Sequence, residues 1–461
     1  MTRRRILLRS EVGRRNKASL TDLQRAFAPW VNLSCLGTTT RERLFTWPRV
    51  FWLFLSQVLS TDGSCREAVQ KFLAWLALEE DKQASPNTAA YCKSRARLPT
   101  KKMEHLHNDM VNAIQDTYRN QGKWYGHPVK VVDGSGLSMP DTPHNQESFP
   151  QSKRATAGCG FPEMRIIALF SLATGVLLRC RWGSRYVSER AMFRQLWEEL
   201  VPGDVVLADR GFCGYTEFFL LLQRGVDSVM RLHPRRSVGV QITKKLGPGD
   251  MLVQWIKMKP CPKGFTKEQW AEIPPVLDVR HITFTVDIPG FRSTHITVAT
   301  TLTDNKQFPA SAFIELYRRR WCIELYFRDI KISMGMDVLR CLTPKMVEKE
   351  VIMHIIAYNL IRATMMEAAQ AMQHTVERIS FKGTCQAMRE WIPILTIVND
   401  DDVNALYRAM LRAIGTVPLP HRYDRSEPRA RKRRPKNYQL LNKPRRQFKE
   451  IPHRSKYVKQ P

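Results

Sequence analysis

The sequence predicts an α/β fold: a mixed sheet with flanking helices, interrupted by an inserted set of strands and preceded by a helical domain. Three observations carry this. Short β-like runs begin after Trp124, two of those runs end in aspartates, and helical apolar periodicity fills the chain on either side. The 461 residues suffice for two or three domains, and 43% hydrophobic with 25% charged residues fits a globular protein with a sizeable core.

Taken in order, residues 1–125 read as helical and basic, with helices expected at 47–59, 65–78 and 101–118. Ser85-Pro86-Asn87 signals another helix start, with proline just inside the cap, for a helix over 88–97. Its Tyr91, Lys93, Arg95 and Arg97 fit a DNA-facing, helix-turn-helix-like surface, and equally a basic surface helix of no specific role. The β-branched run 129–132 leads into Asp133-Gly134-Ser135-Gly136. Strands follow at 164–173 and, after the Thr174-Gly175 turn, at 176–182. Ser188 is placed to cap a helix reaching about Leu200, with Glu189 early in it and Pro202-Gly203 ending the connection. Residues 204–208 read as a buried parallel-type strand ending in Asp209-Arg210-Gly211, then a helix at 215–223 and a fifth strand at 227–232.

Strand, strand, strand, helix, strand, helix, strand is the order of a ribonuclease-H-like sheet, in which the first and fourth strands are neighbours. Asp133 and Asp209, 76 residues apart, would then stand side by side at carboxyl ends of strands, where open α/β sheets place their sites. Residues 233–303 interrupt this pattern with runs at 238–243, 251–257, 276–287 and 295–302 between Pro-rich turns, as an inserted β subdomain would. A long helix is expected over 345–373, and helical periodicity closes near Ile414. The expected organisation is a helical basic DNA-binding domain (1–125), a ribonuclease-H-like core in two parts (126–232 and 304–375) around the insertion (233–303), a helical region (376–420) and a basic tail (421–461).

The formal charge of +30 calls for a polyanionic partner, with nucleic acid favoured over an anionic membrane. Residues 1–20 carry seven Lys/Arg against one Glu, and residues 421–461 carry fifteen against three acids. Such blocks read as basic arms that contact phosphates without reading sequence, or as solubility tails. No apolar run reaches the length of a membrane span, and no secretory apolar segment follows the Arg-rich start. The ten cysteines include no C-x-x-C pair, which argues against a zinc site and for reduced thiols in a cytoplasm.

Tyr317, Arg320, Glu324 and Lys331 lie at offsets of 0, 3, 7 and 14, so on one α-helix all four share a face. A carboxylate flanked by cations suits a metal-ion site handling phosphates; the same face also fits a solvated helix with ion pairs at helical spacing. With Asp133 and Asp209, Glu324 completes a candidate triad. Three converging carboxylates repel one another and need divalent cations, and hard oxygen ligands select Mg²⁺ or Mn²⁺ over zinc. Two such ions about 3.5–4 Å apart activate a water or a 3′-hydroxyl for in-line displacement at phosphorus. Arg210, Arg320 and Lys331 are then placed to hold phosphate oxygens.

The spacing Tyr317-x2-Arg320-x3-Glu324-x6-Lys331 resembles the YREK signature of bacterial DDE transposases of the IS-four insertion-sequence family. Asp133-Gly134-Ser135 and Ala208-Asp209-Arg210-Gly211-Phe212 resemble that family's two upstream motifs. The resemblance covers about residues 125–375 and includes a β insertion between the second aspartate and the glutamate. It implies Mg²⁺-dependent hydrolysis at the ends of an insertion sequence, followed by attack of the freed 3′-hydroxyls on target DNA. Asp133, Asp209 and Glu324 become metal ligands, Tyr317, Arg320 and Lys331 contacts to the terminal strand, and the working form a homodimer on double-stranded DNA in the nucleoid. Relatives that excise through a hairpin stack a flipped base on a Trp in the strand before this helix. Here that strand has none, leaving Trp255, Trp270 or His295 as stand-ins, with packing the favoured role for the two tryptophans. The alternatives are a non-catalytic DNA-binding protein derived from a transposase and another ribonuclease-H-like nuclease. His354 reads as a core histidine, Asp141 and Glu163 as loop and strand-end residues, Asp329 as a partner of a neighbouring cation, and Trp321 as packing.

Overall fold

The computed structural model describes residues 23–24, 26–37, 44–79, 84–233, 240–262, 264–285, 295–396, 400–420, 443–444 and 447–448. The basic arms at 1–20 and 421–461 lie outside these residues, apart from the last four.

Helices α1 (Trp47–Leu59), α2 (Cys65–Glu79), α3 (Ala89–Arg97) and α4 (Thr100–Tyr118) open the chain. The apolar run of α1 is buried from Val50 to Gln57, which makes it the centre of this layer. Pro86 stays outside α3: Asn87 Oδ1 accepts from Ala89 N at 2.8 Å and Ser85 Oγ from Asn87 N at 3.2 Å, a turn that delivers the chain to the helix. The reading of α3 as a DNA-facing surface is corrected on two residues. Tyr91 and Arg95 are buried and share Gln57 Oε1 of α1, at 2.8 and 2.9 Å, leaving only Lys93 and Arg97 exposed.

Nine strands form one sheet in the order β3-β2-β1-β4-β5-β9-β8-β7-β6. They are β1 (Val129–Ser138), β2 (Glu163–Ser171), β3 (Leu177–Ser184), β4 (Val205–Ala208), β5 (Asp227–Arg231), β6 (Gln241–Gly247), β7 (Asp250–Ile256), β8 (Val276–Thr285) and β9 (His295–Thr300). The β1–β3 meander is antiparallel, and β1, β4 and β5 are parallel. β4 is buried at every residue, as a strand covered on both faces must be. The strands of 233–303 do not stand apart: β9 pairs antiparallel with β5, and β8, β7 and β6 extend the same sheet. A buried ion pair locks this extension. Arg280 of β8, fully buried, donates Nε and Nη2 to Asp250 of β7 at 2.8 and 2.7 Å, and Nη1 to the Phe308 carbonyl at 2.7 Å.

The helices of the core are α5 (Pro143–Ser148), which sequence reasoning missed, then α6 (Glu189–Arg194), α7 (Tyr215–Gln223), α8 (Lys267–Glu272), α9 (Ala310–Arg319) and α10 (Cys322–Arg328). Ser188 holds the N-cap position of α6 without a side-chain hydrogen bond, and the helix ends at Arg194 rather than near Leu200. α11 (Pro344–Ala371) runs 28 residues and is buried over most of its length, followed by α12 (Phe381–Trp391) and α13 (Asp400–Gly415). Polar side chains of α11 bond the turn between β2 and β3: Asn359 pairs with both Leu177 N and O at 2.9 Å, and Tyr358 donates to Gly175 O at 2.7 Å. Such a helix, buried all round, is the central pillar of a large core. Among the described residues no helix is long and apolar enough to cross a membrane.

Candidate functional site

The parallel ladder of β1 and β4 runs from Val129↔Val205 to Val132↔Ala208, and Asp133 and Asp209 are the next residues in that register. The two aspartates are thus set one step beyond the ladder by strand pairing alone. Asp133 is not at the end of its strand, because β1 continues through Gly134 and Gly136 to Ser138 on β2. Side chains from β2 crowd both glycines. A Cβ on Gly134 would come 2.6 Å from Ile167 Cδ1, and one on Gly136 2.7 Å from Glu163 Oε1.

The single helix expected over 317–331 is the main correction. α9 ends at Arg319, Arg320 and Trp321 are bridged by i→i−3 bonds, α10 resumes at Cys322, and Asp329–Ser333 forms a π-helical turn. The helix is interrupted, yet Tyr317, Arg320 and Glu324 remain neighbours in series along it. Tyr317 and Arg320 are buried, at 3% and 7% exposure, whereas Glu324 is exposed. Arg320 lies at the interruption. Its guanidinium lies 5.6 Å from the Tyr317 ring centroid and 5.3 Å from that of Trp321, with Nη1 4.0 Å from Asp133 Oδ2 and Nη2 3.7 Å from Glu324 Oε1. One buried cation thus spans the first aspartate and the glutamate. The π turn serves Lys331, whose Nζ donates to Ser135 Oγ at 3.0 Å and Gly136 O at 2.8 Å. Just beyond it, Ser138 N donates to Asp337 O at 3.0 Å and Leu339 N to Ser138 O at 2.9 Å, stitching this segment to the end of β1.

Asp209 is half-buried and its Oδ1 is enclosed without a hydrogen-bond partner, as is Arg320 Nε. Buried polar atoms usually have a partner, which a water or a cation can supply; Asp204, in a structural ion pair with Lys130, leaves its Oδ1 in the same state. Arg210 is exposed on the turn that follows. Burial raises the Asp133 carboxyl to about 6, against the lowering effects of the Gly134 N–H at 2.8 Å and Arg320, while Asp209 and Glu189 push the same way as burial. Burial likewise lifts the Tyr317 hydroxyl to about 12. Among the described residues no group of three or more His, Cys, Asp and Glu side chains is gathered closely enough to hold a metal ion. Like-charged carboxylates separate when no cation is between them, and here Arg320 takes that position between Asp133 and Glu324.

A pH prediction follows for the metal-free protein. A carboxyl raised from 3.8 to about 6 by folding makes its ionised form cost the native state on the order of 3 kcal/mol, so stability is lost as pH rises through that window. Asp133→Asn is therefore expected to raise the melting temperature in EDTA at pH 7.5, with the gain vanishing near pH 4. Equal gains at both pH values would contradict it.

Sequence reasoning gave Glu189 no part in the site; the hint was an acid opening the helix after the third strand. Ser135 entered within the Asp133-Gly134-Ser135 motif but was given no role of its own. Trp255 and Trp270 are buried packing residues, with Trp255 Nε1 bonded to His281 Nε2 at 2.8 Å. His295 begins β9 on the surface, and His354 Nδ1 lies 2.8 Å from Glu350 O in the core. Glu163 pairs with Arg185, Asp141 accepts from Gln146 at 2.6 Å, and buried Asp329 lies 3.5 Å from Arg328. Trp321 is half-buried against Arg320 rather than sunk in the core.

A sequence model of the family described as "Transposase DDE domain" matches residues 124–360. The chain is 27% identical over 318 residues, covering 68% of its own length and 70% of the relative's, to the transposase InsG for insertion sequence element IS4 of Escherichia coli (strain K12). Among solved structures, a cryo-EM structure of the piggyBac transposase synaptic complex with hairpin DNA aligns with a TM-score of 0.44 and 10% identity, over 90% of this chain and 86% of that one.

Proposed function

The chain belongs to the transposase DDE domain family and is a DNA transposase, and from that premise we propose that Asp133, Asp209 and Glu324 are its catalytic carboxylates. The observation that carries this reading is the register of β1 and β4, which sets two aspartates together while Arg320 links the first to Glu324. The family implies a divalent metal. The enclosed, unpartnered Asp209 Oδ1 and the all-carboxylate donor set fit a hard cation, Mg²⁺ with Mn²⁺ as substitute, held by these three residues. When bound, such ions supply Lewis acidity at phosphorus and a water or 3′-hydroxyl of lowered pKa.

The chain's own residues bind, orient and neutralise. Arg320, buried between two rings, is held rigidly for bidentate contact with a phosphate, and Lys331 is fixed against β1 one residue pair from Asp133. Tyr317 backs Arg320 with its ring, and Arg210 reaches into solvent beside Asp209, suited to the DNA backbone. The reaction is hydrolysis of a phosphodiester at each end of an insertion sequence, then attack of the 3′-hydroxyl on target DNA. Terminal inverted repeats are bound by a helical basic domain over 1–125, with 233–303 an insertion whose strands extend the sheet of a ribonuclease-H-like core. The basic tail over 421–461 adds phosphate contacts, and a homodimer holds two ends together.

Glu324→Gln tests this on DNA carrying one inverted-repeat end. The variant is expected to retain the gel shift of the wild type and to lose Mg²⁺-dependent strand cleavage. Normal cleavage would exclude Glu324 as a ligand, and a wild-type protein that binds without cutting would favour a non-catalytic role.

A further inference from the structure

The turn that carries Asp209 closes with a backbone bond from Phe212 N to Asp209 O at 3.0 Å. Arg210 and Gly211 are exposed, and a Cβ on Gly211 would meet nothing within 4 Å. Side-chain support for this turn comes from α6, across the sheet end from β4. Arg190 Nε donates to the Gly211 carbonyl at 2.8 Å and Nη2 reaches the Cys213 carbonyl at 3.5 Å. Phe193, one helical turn on, packs edge-on against Phe212 with ring centroids 5.3 Å apart.

Arg190 is itself anchored from below. Its Nη1 lies 4.0 Å from Oε2 of Glu217, a carboxylate with no solvent exposure, whose Oε1 accepts from Arg194 at 2.5 Å and whose Oε2 accepts from Thr216 at 2.9 Å. Gly214 makes room for this assembly: a Cβ there would come 2.1 Å from Glu217 Oε2 and 3.3 Å from Arg190 Nη1. The residue before Arg190 faces the other aspartate. Glu189 is paired with Arg165 at 3.4 Å, and its Oε1 stands 3.5 Å from where a Cβ of Gly134 would be, beside Asp133. Two consecutive residues at the start of α6 are thus placed near the two aspartates, Glu189 beside Gly134 and Arg190 on the Gly211 carbonyl two residues after Asp209.

We propose that Arg190 is a positioning residue that fixes Asp209 relative to Asp133 by gripping the Gly211 and Cys213 carbonyls. The inference rests on the reading of Asp209 as a metal ligand. Residues that orient ligands typically contribute roughly 10–100-fold to metal affinity.

The test compares Arg190→Ala, Arg190→Lys and Asp209→Asn in the full chain, without DNA. Mn²⁺ binding is read from the electron paramagnetic resonance of the free ion, and melting temperature is read in EDTA. Arg190→Ala is expected to weaken Mn²⁺ binding roughly 10–100-fold at an unchanged melting temperature, with partial recovery in Arg190→Lys, which still donates to one carbonyl. A merely structural role would lower the melting temperature without shifting the Mn²⁺ titration, and that result would overturn the proposal. If Asp209→Asn binds Mn²⁺ as the wild type does, the reading of Asp209 fails instead. Should Arg190→Ala not fold, Arg190→Gln decides by the same titration: weakened binding supports the proposal and unchanged binding overturns it.

Discussion

Asp209→Asn is expected to lower the rate of DNA-end cleavage at least about 10³-fold, while melting temperature and DNA binding stay close to those of the wild type. The magnitude corresponds to losing on the order of 4 kcal/mol of transition-state stabilisation, in keeping with what a metal site supplies. The fold should tolerate the change because Asn fills the same space, and because the buried Oδ1 of Asp209 has no hydrogen-bond donor to lose. The carboxylate also sits near Asp133 and adds to the repulsion that raises that group's pKa, so the neutral amide relieves the site. Single-turnover cleavage at fixed Mg²⁺, measured beside gel shift and thermal melting, checks all three parts. An Asp209→Asn protein that cuts at the normal rate would remove this residue from the chemistry.

The second large effect is on stability and lies away from the carboxylates. Asp250→Ala is expected to destabilise the protein by about 3–5 kcal/mol, because it leaves a buried guanidinium unpaired. Arg280 is 0% exposed; beyond Asp250 it bonds the Asp304 and Phe308 carbonyls, lies 5.2 Å from the Phe313 ring centroid and feels the Asp304 carboxylate as a secondary charge. Its bond to the Phe308 carbonyl ties β7 and β8 to the segment entering α9, and so to Tyr317 and Arg320. The double substitution Asp250→Leu with Arg280→Met should recover most of the loss, since an apolar pair of similar volume needs no desolvation. Urea unfolding of the three proteins measures it; a single variant within about 1 kcal/mol of the wild type would show the pair to be dispensable.

Much of this was legible from residues because strand and helix periods differ. α1 and α7 have the bounds that periodicity gave, and the order of the first five strands was enough to make β1 and β4 neighbours. The break at Arg320–Trp321 was not legible. No Gly or Pro marks it, and each residue from Tyr317 to Lys331 is compatible with continuous helix. Arg95 misled because its partner is distant in sequence. Arginines are mostly exposed, and its acceptor Gln57 lies on another helix with no sequence signal linking the two. Arg190 had no signal at all, because it acts on backbone carbonyls, which every residue carries.

The shared register of β1 and β4 also decides where this chain can change in length. Residues added to the connections between Ser138 and Val205 leave the ladder, and hence the pairing of Asp133 with Asp209, as it is; longer loops cost little. One residue added inside β4 would instead advance Asp209 by a step and turn it to the opposite face of the sheet. The distance in sequence between the two aspartates therefore carries no information about the distance in space.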